Sequence, residues 1–216
     1  MRLRGSIFLW FVVALAGISA FGALMLVVHQ PGFTQQDFAI TQQFHRDEGG
    51  WYETILLILG EFGRSILVFI MLELVVWLWL QRHPRELAAL LLVVGGGFAV
   101  NYIARHVLAA PRIPLHAPFV LLRDTGFPSG HAMMATILYG LLLWAAFPRI
   151  AREQRAVAVL GTAGLVLLVG FTRLYFGEHY LSDVLGGFAL GIGWLAGGII
   201  ALSWLGIRWP TSPHLT

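Results

Sequence analysis

The 216-residue chain contains no cysteine and no lysine. Without cysteine there are no disulfides, no thiolate metal sites and no cysteine nucleophile, while the redox compartment stays open. All fourteen basic residues are arginine, a bias that carries no chemistry by itself. Charge is scarce as well: 12% of residues are charged against 58% hydrophobic, with a mean hydropathy of +0.77. That balance leaves no soluble domain in view and points to a protein of several membrane spans. A net charge of +3, on arginines dispersed among apolar segments, does not make the basic stripe of a nucleic-acid binder, so no nucleic-acid partner is expected. Period-two alternation is also missing, so the spans read as helices, which satisfy their own backbone in lipid.

What is present is six apolar stretches, each able to supply the roughly 20 helical residues that cross about 30 Å of hydrocarbon. They run near Ile7 to Val28, Thr54 to Leu80, Leu87 to Ala109, Ser129 to Phe147, Ala156 to Phe176 and Leu181 to Ile207. The expected fold is an all-α integral membrane bundle of six transmembrane helices, one domain over residues 1–216. The first stretch follows a basic start and outlasts a signal-peptide core, so it reads as a retained helix. Arg2, Arg4, Arg82, Arg85, Arg149, Arg152, Arg155 and Arg208 fall on one side, which the loop-charge rule makes cytoplasmic, together with both termini. The opposite side carries Arg46, Arg64, Arg105, Arg112, Arg123 and Arg173, which that rule does not explain.

The span count brings an unusual set of polar residues to that second face. Asn101, Tyr102, Arg105 and His106 close the third stretch, with Pro111 and Arg112 just beyond. Pro128-Ser129-Gly130-His131 opens the fourth, Arg173 closes the fifth, and His179 and Asp183 open the sixth. Each has a plain reading: a snorkelling arginine, a helix cap at Ser129, an interfacial histidine, an i, i+4 pair. Scattered snorkelling does not place several guanidiniums, two histidines, an aspartate and a Ser-Gly helix start together. Forked cations and a helix N-terminus make an anion site suited to phosphate. His179, its ring held by Asp183, suits a nucleophile, and His131 from another helix suits a proton donor. Two histidines and a carboxylate also suit a metal, but adjacent arginines repel a cation, so no metal or other cofactor is expected.

These residues resemble the type 2 phosphatidic acid phosphatase (PAP2) family of lipid phosphate phosphatases, related to vanadium haloperoxidases. Its three motifs are Lys-x6-Arg-Pro, Pro-Ser-Gly-His and Ser-Arg-x5-His-x3-Asp. The second is intact at Pro128 to His131. The third reads Thr172-Arg173-x5-His179-x3-Asp183, with Thr for Ser. The first is degenerate, Arg105-x6-Arg112-Ile113-Pro114, and an Arg for Lys there changes reach and geometry. The resemblance implies a haloperoxidase-like core in which His179 attacks phosphorus to give a phosphohistidine, Asp183 orients it and His131 protonates the leaving group. Arg105, Arg112, Arg173, Ser129 and the Gly130 amide would hold the phosphate oxygens.

It further implies a metal-independent membrane lipid phosphatase, with undecaprenyl pyrophosphate as the first substrate, at the periplasmic face of a bacterial inner membrane. Phosphatidylglycerophosphate, phosphatidic acid and lipid A 1-phosphate are rival substrates, and transfer to a second lipid is a rival outcome. A non-catalytic lipid transporter, with Glu73 in a polar pathway, is the alternative of another class. Glu73 otherwise reads as an acid buried in the bundle against Asn101. Glu178 and Tyr180 have no assigned role beyond interfacial solvation and an aromatic belt. Residues 111–127 read equally as a membrane-dipping lid and as an interfacial loop.

Overall fold

Hydrocarbon offers the backbone no hydrogen bonds, and the chain answers with helices. The structure, a computed structural model, describes residues 2–46, 50–108 and 126–207, and among these it contains no strand. In chain order the α-helices are α1 (Arg2–Val28), α2 (Phe33–Gln42), α3 (Trp51–Glu61), α4 (Ser65–Leu80), α5 (Pro84–Leu90), α6 (Gly96–Val107), α7 (Gly130–Ala146), α8 (Arg155–Tyr175) and α9 (Leu181–Trp204). They make six spans long and apolar enough to cross a membrane: Ile7–Val28, Trp51–Leu80, Pro84–Val107, Gly130–Arg149, Arg152–Tyr175 and Leu181–Trp204.

Two spans depart from the single rods expected. The second begins earlier, at Trp51, and breaks between α3 and α4, where Arg64 has φ −134° and ψ −94°. The break frees a carbonyl, and the Tyr139 hydroxyl of α7 donates to Phe62 O at 2.6 Å. The third span joins α5 to α6 through a π-helical turn, Leu91–Gly95. Such a turn loosens the i to i−4 ladder, and the Trp194 indole N–H donates to Val93 O at 2.7 Å. The short helix α2 was not expected at all. It is too polar and too brief to span, and its buried residues are Asp37 and Thr41.

Lipid tails are as apolar as leucine, so spans associate through close packing of small residues. At the centre stands α9. A Cβ on Gly187 would lie 2.5 Å from Ser129 O of α7, and one on Gly191 would lie 2.9 Å from Thr136 Cβ. The opposite side of α9 meets α1, where a Cβ on Gly17 would lie 2.7 Å from Gly193 N. Leu67, Leu90, Met133, Ile137, Leu141 and Ile199 fill the main core, while Phe8, Leu15, Phe69, Leu72 and Leu160 point outward. Glu73 corrects an expectation: it is exposed on the outer surface of α4, not buried against Asn101.

The seam between α7 and α9 predicts a contrast between two glycines. Gly187→Ala must push backbone apart and should lower unfolding stability in detergent by about 1–3 kcal/mol. Gly161, with nothing within 4 Å of an added Cβ, should accept Ala without loss. Thermal unfolding of both variants checks this.

Candidate active site

Two helix N-termini meet at the face opposite the Arg82 and Arg149 loops, and the sequence treats them differently. At α9, Tyr180 N donates to Asp183 Oδ2 at 2.9 Å, Leu181 N to Thr41 Oγ1 at 3.0 Å and Ser182 N to Asp37 Oδ1 at 3.2 Å. The Ser182 hydroxyl also donates to Asp37. The first turn of α9 is thus occupied by its own cap and by α2. At α7, the N-cap residue Ser129 makes no side-chain cap bond, and its hydroxyl is buried without a partner. An uncapped N-terminus points N–H groups and a partial positive charge at an anion.

A backbone bond, Ser129 N to Asp183 O at 2.9 Å, ties the two starts together. It sets the histidine rings of the two motifs 6.4 Å apart between centroids, inclined by 67°. His179 is 7% exposed and Asp183 1%, and His179 Nδ1 faces Asp183 Oδ2 at 3.5 Å. With Nδ1 turned to the carboxylate, Nε2 is the ring nitrogen left for a reacting group. Among the described residues Ser129 Oγ and His131 Nε2 are buried without a hydrogen-bond partner, and His179 Nδ1 has only the 3.5 Å contact to Asp183. Buried polar atoms are ordinarily paired, so the gathering of Ser129 Oγ and His131 Nε2 at one point makes this the candidate binding site.

Arg173 supplies the buried cation. It is 5% exposed, and its Nε donates to Thr172 Oγ1 at 3.1 Å while Nη1 donates to Glu178 Oε2 at 2.6 Å. Thr172 in turn donates to Val169 O at 2.8 Å, so the Thr found in place of Ser keeps the hydroxyl that aims the guanidinium. Glu178 is thus an ion-pair partner of Arg173, and Tyr180 is a buried N-cap of α9, where solvation and an aromatic belt were expected. From α3, Gly60 leaves room for the guanidinium, since a Cβ there would overlap Arg173 Nη2.

On the third side, the Asn101 amide donates to Pro128 O at 3.4 Å and Met133 Sδ at 3.5 Å. A Cβ on Gly130 would lie 3.1 Å from Asn101 Oδ1 and 3.9 Å from Arg105 Nη1, so Arg105 stands beside the open end of α7. Tyr102 and His106 are exposed at the rim, their rings in tilted contact at 4.1 Å between centroids. Of the residues read from sequence, His131, His179, Asp183, Ser129, Gly130, Arg105 and Arg173 come together here; Arg112, Ile113 and the 111–127 segment up to residue 125 lie outside the described residues. Among the described residues no cluster of three His, Asp or Glu side chains could hold a metal.

A groove of about 510 Å³ opens from this centre between α4, α6 and α7. Its polar part carries Arg64, Arg105 and His131, and its apolar part Leu67, Val68 and Phe98. Sequence reading placed Arg64 on this face without assigning it to the site, and missed Gly60, Asp37 and Thr41. The run Gly60-Glu61-Phe62-Gly63-Arg64 inside an otherwise apolar span was the available signal.

Comparison with known proteins agrees with this layout. The PAP2 superfamily model matches residues 63–207. Phosphatidylglycerophosphatase B of Bacillus subtilis is 27% identical over 192 residues, covering 87% of this chain and 88% of that protein. Undecaprenyl-diphosphatase BcrC of Bacillus subtilis is 26% identical over 145 residues, 65% of this chain and 69% of its own. The crystal structure of a transmembrane PAP2 type phosphatidylglycerolphosphate phosphatase from Bacillus subtilis superposes with a TM-score of 0.75 at 23% identity, covering 89% of this chain and 98% of the other.

The Thr172 contact predicts how the anion site responds to substitution. Thr172→Val removes the acceptor of a charged donor and should weaken orthophosphate binding by about tenfold. Thr172→Ser should stay close to the parent. Calorimetric titration of orthophosphate into the purified full chain and both variants measures the difference.

Proposed function

The chain belongs to the PAP2 superfamily and is a membrane lipid phosphatase, and from that premise we propose that it removes the terminal phosphate of a lipid diphosphate through a phosphohistidine on His179. The observation that carries this reading is the pair of histidine rings 6.4 Å apart, set between a buried arginine and an uncapped helix start. In the first step His179 Nε2 forms a bond to phosphorus as the bond to the lipid-side oxygen breaks. That oxygen takes its proton from His131. In the second, water gives a proton back to His131 and its oxygen bonds to phosphorus, the P–N bond breaks, and orthophosphate leaves. The carboxylate of Asp183 stabilises the positive ring that forms during attack. Arg173, Arg105, Arg112, Ser129 and the Gly130 amide hold the oxygens on which charge develops.

Nothing in these steps calls on a metal, because charge stabilisation is supplied by guanidiniums and amides. The lipid reaches the site sideways: its head meets Arg105 and His131 while its chain lies along Leu67, Val68 and Phe98 of the groove. Arginines in the loops at the opposite end of the bundle support placing those loops and both termini in the cytoplasm, with the site at the periplasmic face of a bacterial inner membrane. We read residues 1–216 as one domain, since α1 packs lengthwise on α9 through Gly17 and Gly193.

Undecaprenyl diphosphate is the substrate we propose, supported by the relative BcrC. Phosphatidylglycerophosphate is a second reading, favoured by the longer match to phosphatidylglycerophosphatase B. Release of orthophosphate from both lipids and from phosphatidic acid, with chelator present, separates the readings by rank. His179→Ala should abolish release from every lipid. Asp183→Asn should cost about 10- to 100-fold, less than loss of the nucleophile, because orientation is its role and the amide oxygen can still cap α9. Turnover that needs an added divalent ion, or that survives in His179→Ala, would overturn the mechanism.

A further inference from the structure

Arg64 belongs to none of the three motifs, and the loop-charge rule leaves it unexplained. It stands at the break in the second span, where a non-helical backbone turns it out of the helix line. Its neighbour Gly63 packs on the catalytic centre: a Cβ there would lie 3.2 Å from His131 Cβ. The Arg64 side chain is exposed and lines the groove that leads from His131. Among the described residues its guanidinium has no hydrogen-bond or ion-pair partner, Glu61 one turn earlier included. A charge inside a membrane span, here Trp51–Leu80, is costly and faces a pathway or a ligand as a rule.

Its position along the groove says which part of a ligand it meets. Leu67 and Val68 follow it by one helical turn on α4 and begin the apolar part of the groove. Arg64 therefore stands at the junction of the head and tail compartments, across from Arg105 of α6. A lipid whose terminal phosphorus is seated between His131 and His179 must cross this junction before its chain enters the apolar part. Whatever anionic group the lipid carries next to the leaving oxygen lies there.

We propose that Arg64 binds the second phosphate of the substrate, the one that remains on the lipid, and so sets a preference for lipid diphosphates over lipid monophosphates. This rests on the phosphatase reading above and deepens it. A forked, always charged donor matches two phosphate oxygens, and a site built for a group discriminates against the analogue that lacks it. In the diphosphate reaction the same contact meets the leaving group, whose bridging oxygen gains charge as the P–O bond breaks.

The test compares farnesyl diphosphate with farnesyl monophosphate, which share a tail and differ by one phosphate, using the full chain in detergent micelles. The parent should prefer the diphosphate, and in Arg64→Gln the ratio of kcat/KM between the two should fall about tenfold. Arg64→Lys should recover part of the ratio. An unchanged ratio in Arg64→Gln overturns the proposal, whatever happens to the absolute rates, and so does a parent without the preference. Should the parent hydrolyse neither lipid, the lipid-diphosphate reading falls while membership of the phosphatase family stands, and calorimetric binding of inorganic pyrophosphate against orthophosphate decides on Arg64 separately. A preference for pyrophosphate that Arg64→Gln removes upholds the subsite; equal binding of both ions, or a preference that persists in the variant, rejects it.

Discussion

Between membrane spans a polar group has no water to fall back on, and this constraint organises the whole molecule. Where the fold needs rigidity, the groups are paired within the chain. Tyr139 takes the carbonyl freed at the α3–α4 break, Trp194 takes the one freed at the π-turn, and Asp37 with Thr41 takes the first amides of α9. At the candidate site pairing stops: among the described residues Ser129 Oγ and His131 Nε2 have no hydrogen-bond partner. Unsatisfied polar groups cost more in such a place than anywhere else, so their concentration at one point is itself a statement about a ligand.

The contrast between α7 and α9 follows from the same economy. Both begin at the same face, joined by Ser129 N to Asp183 O, and both have the partial positive charge of a helix start. By closing α9 with its own Asp183 and with α2, the chain turns the sixth span into a fixed platform for His179. The start of α7 is left without a side-chain cap, the arrangement that suits an anion. Glycines 187 and 191 make the arrangement possible, because a Cβ on either would press on α7, at Ser129 O beside His131 and at Thr136 further along.

The broken second span connects chemistry to lipid. A straight helix would carry Gly60, Gly63 and Arg64 to other azimuths; the break sets Gly60 under Arg173, Gly63 beside His131 and Arg64 in the groove. One irregularity thereby clears space for a buried guanidinium, packs against His131 and lines the groove beside it. Glu73, two turns further along α4, is on the outer surface instead, so polar residues within one span serve different surroundings.

Hydropathy and motif spacing were enough for the six spans, for the sharing of one face by His131, His179, Asp183, Arg105 and Arg173, and for the family, because span length and the order of helix ends are properties of the chain alone. Helix α2 was hidden because its stability comes from Asp37 and Thr41 docking on α9, a contact that no local pattern announces. Glu178 read as solvation because its meaning depends on the side chain of Arg173 folding back toward it. Which way a polar residue of a span faces, as with Glu73 and Arg64, depends on the rotation of each helix and on breaks in it. Packing between small residues on neighbouring spans fixes both, and that is a decision only the tertiary structure makes.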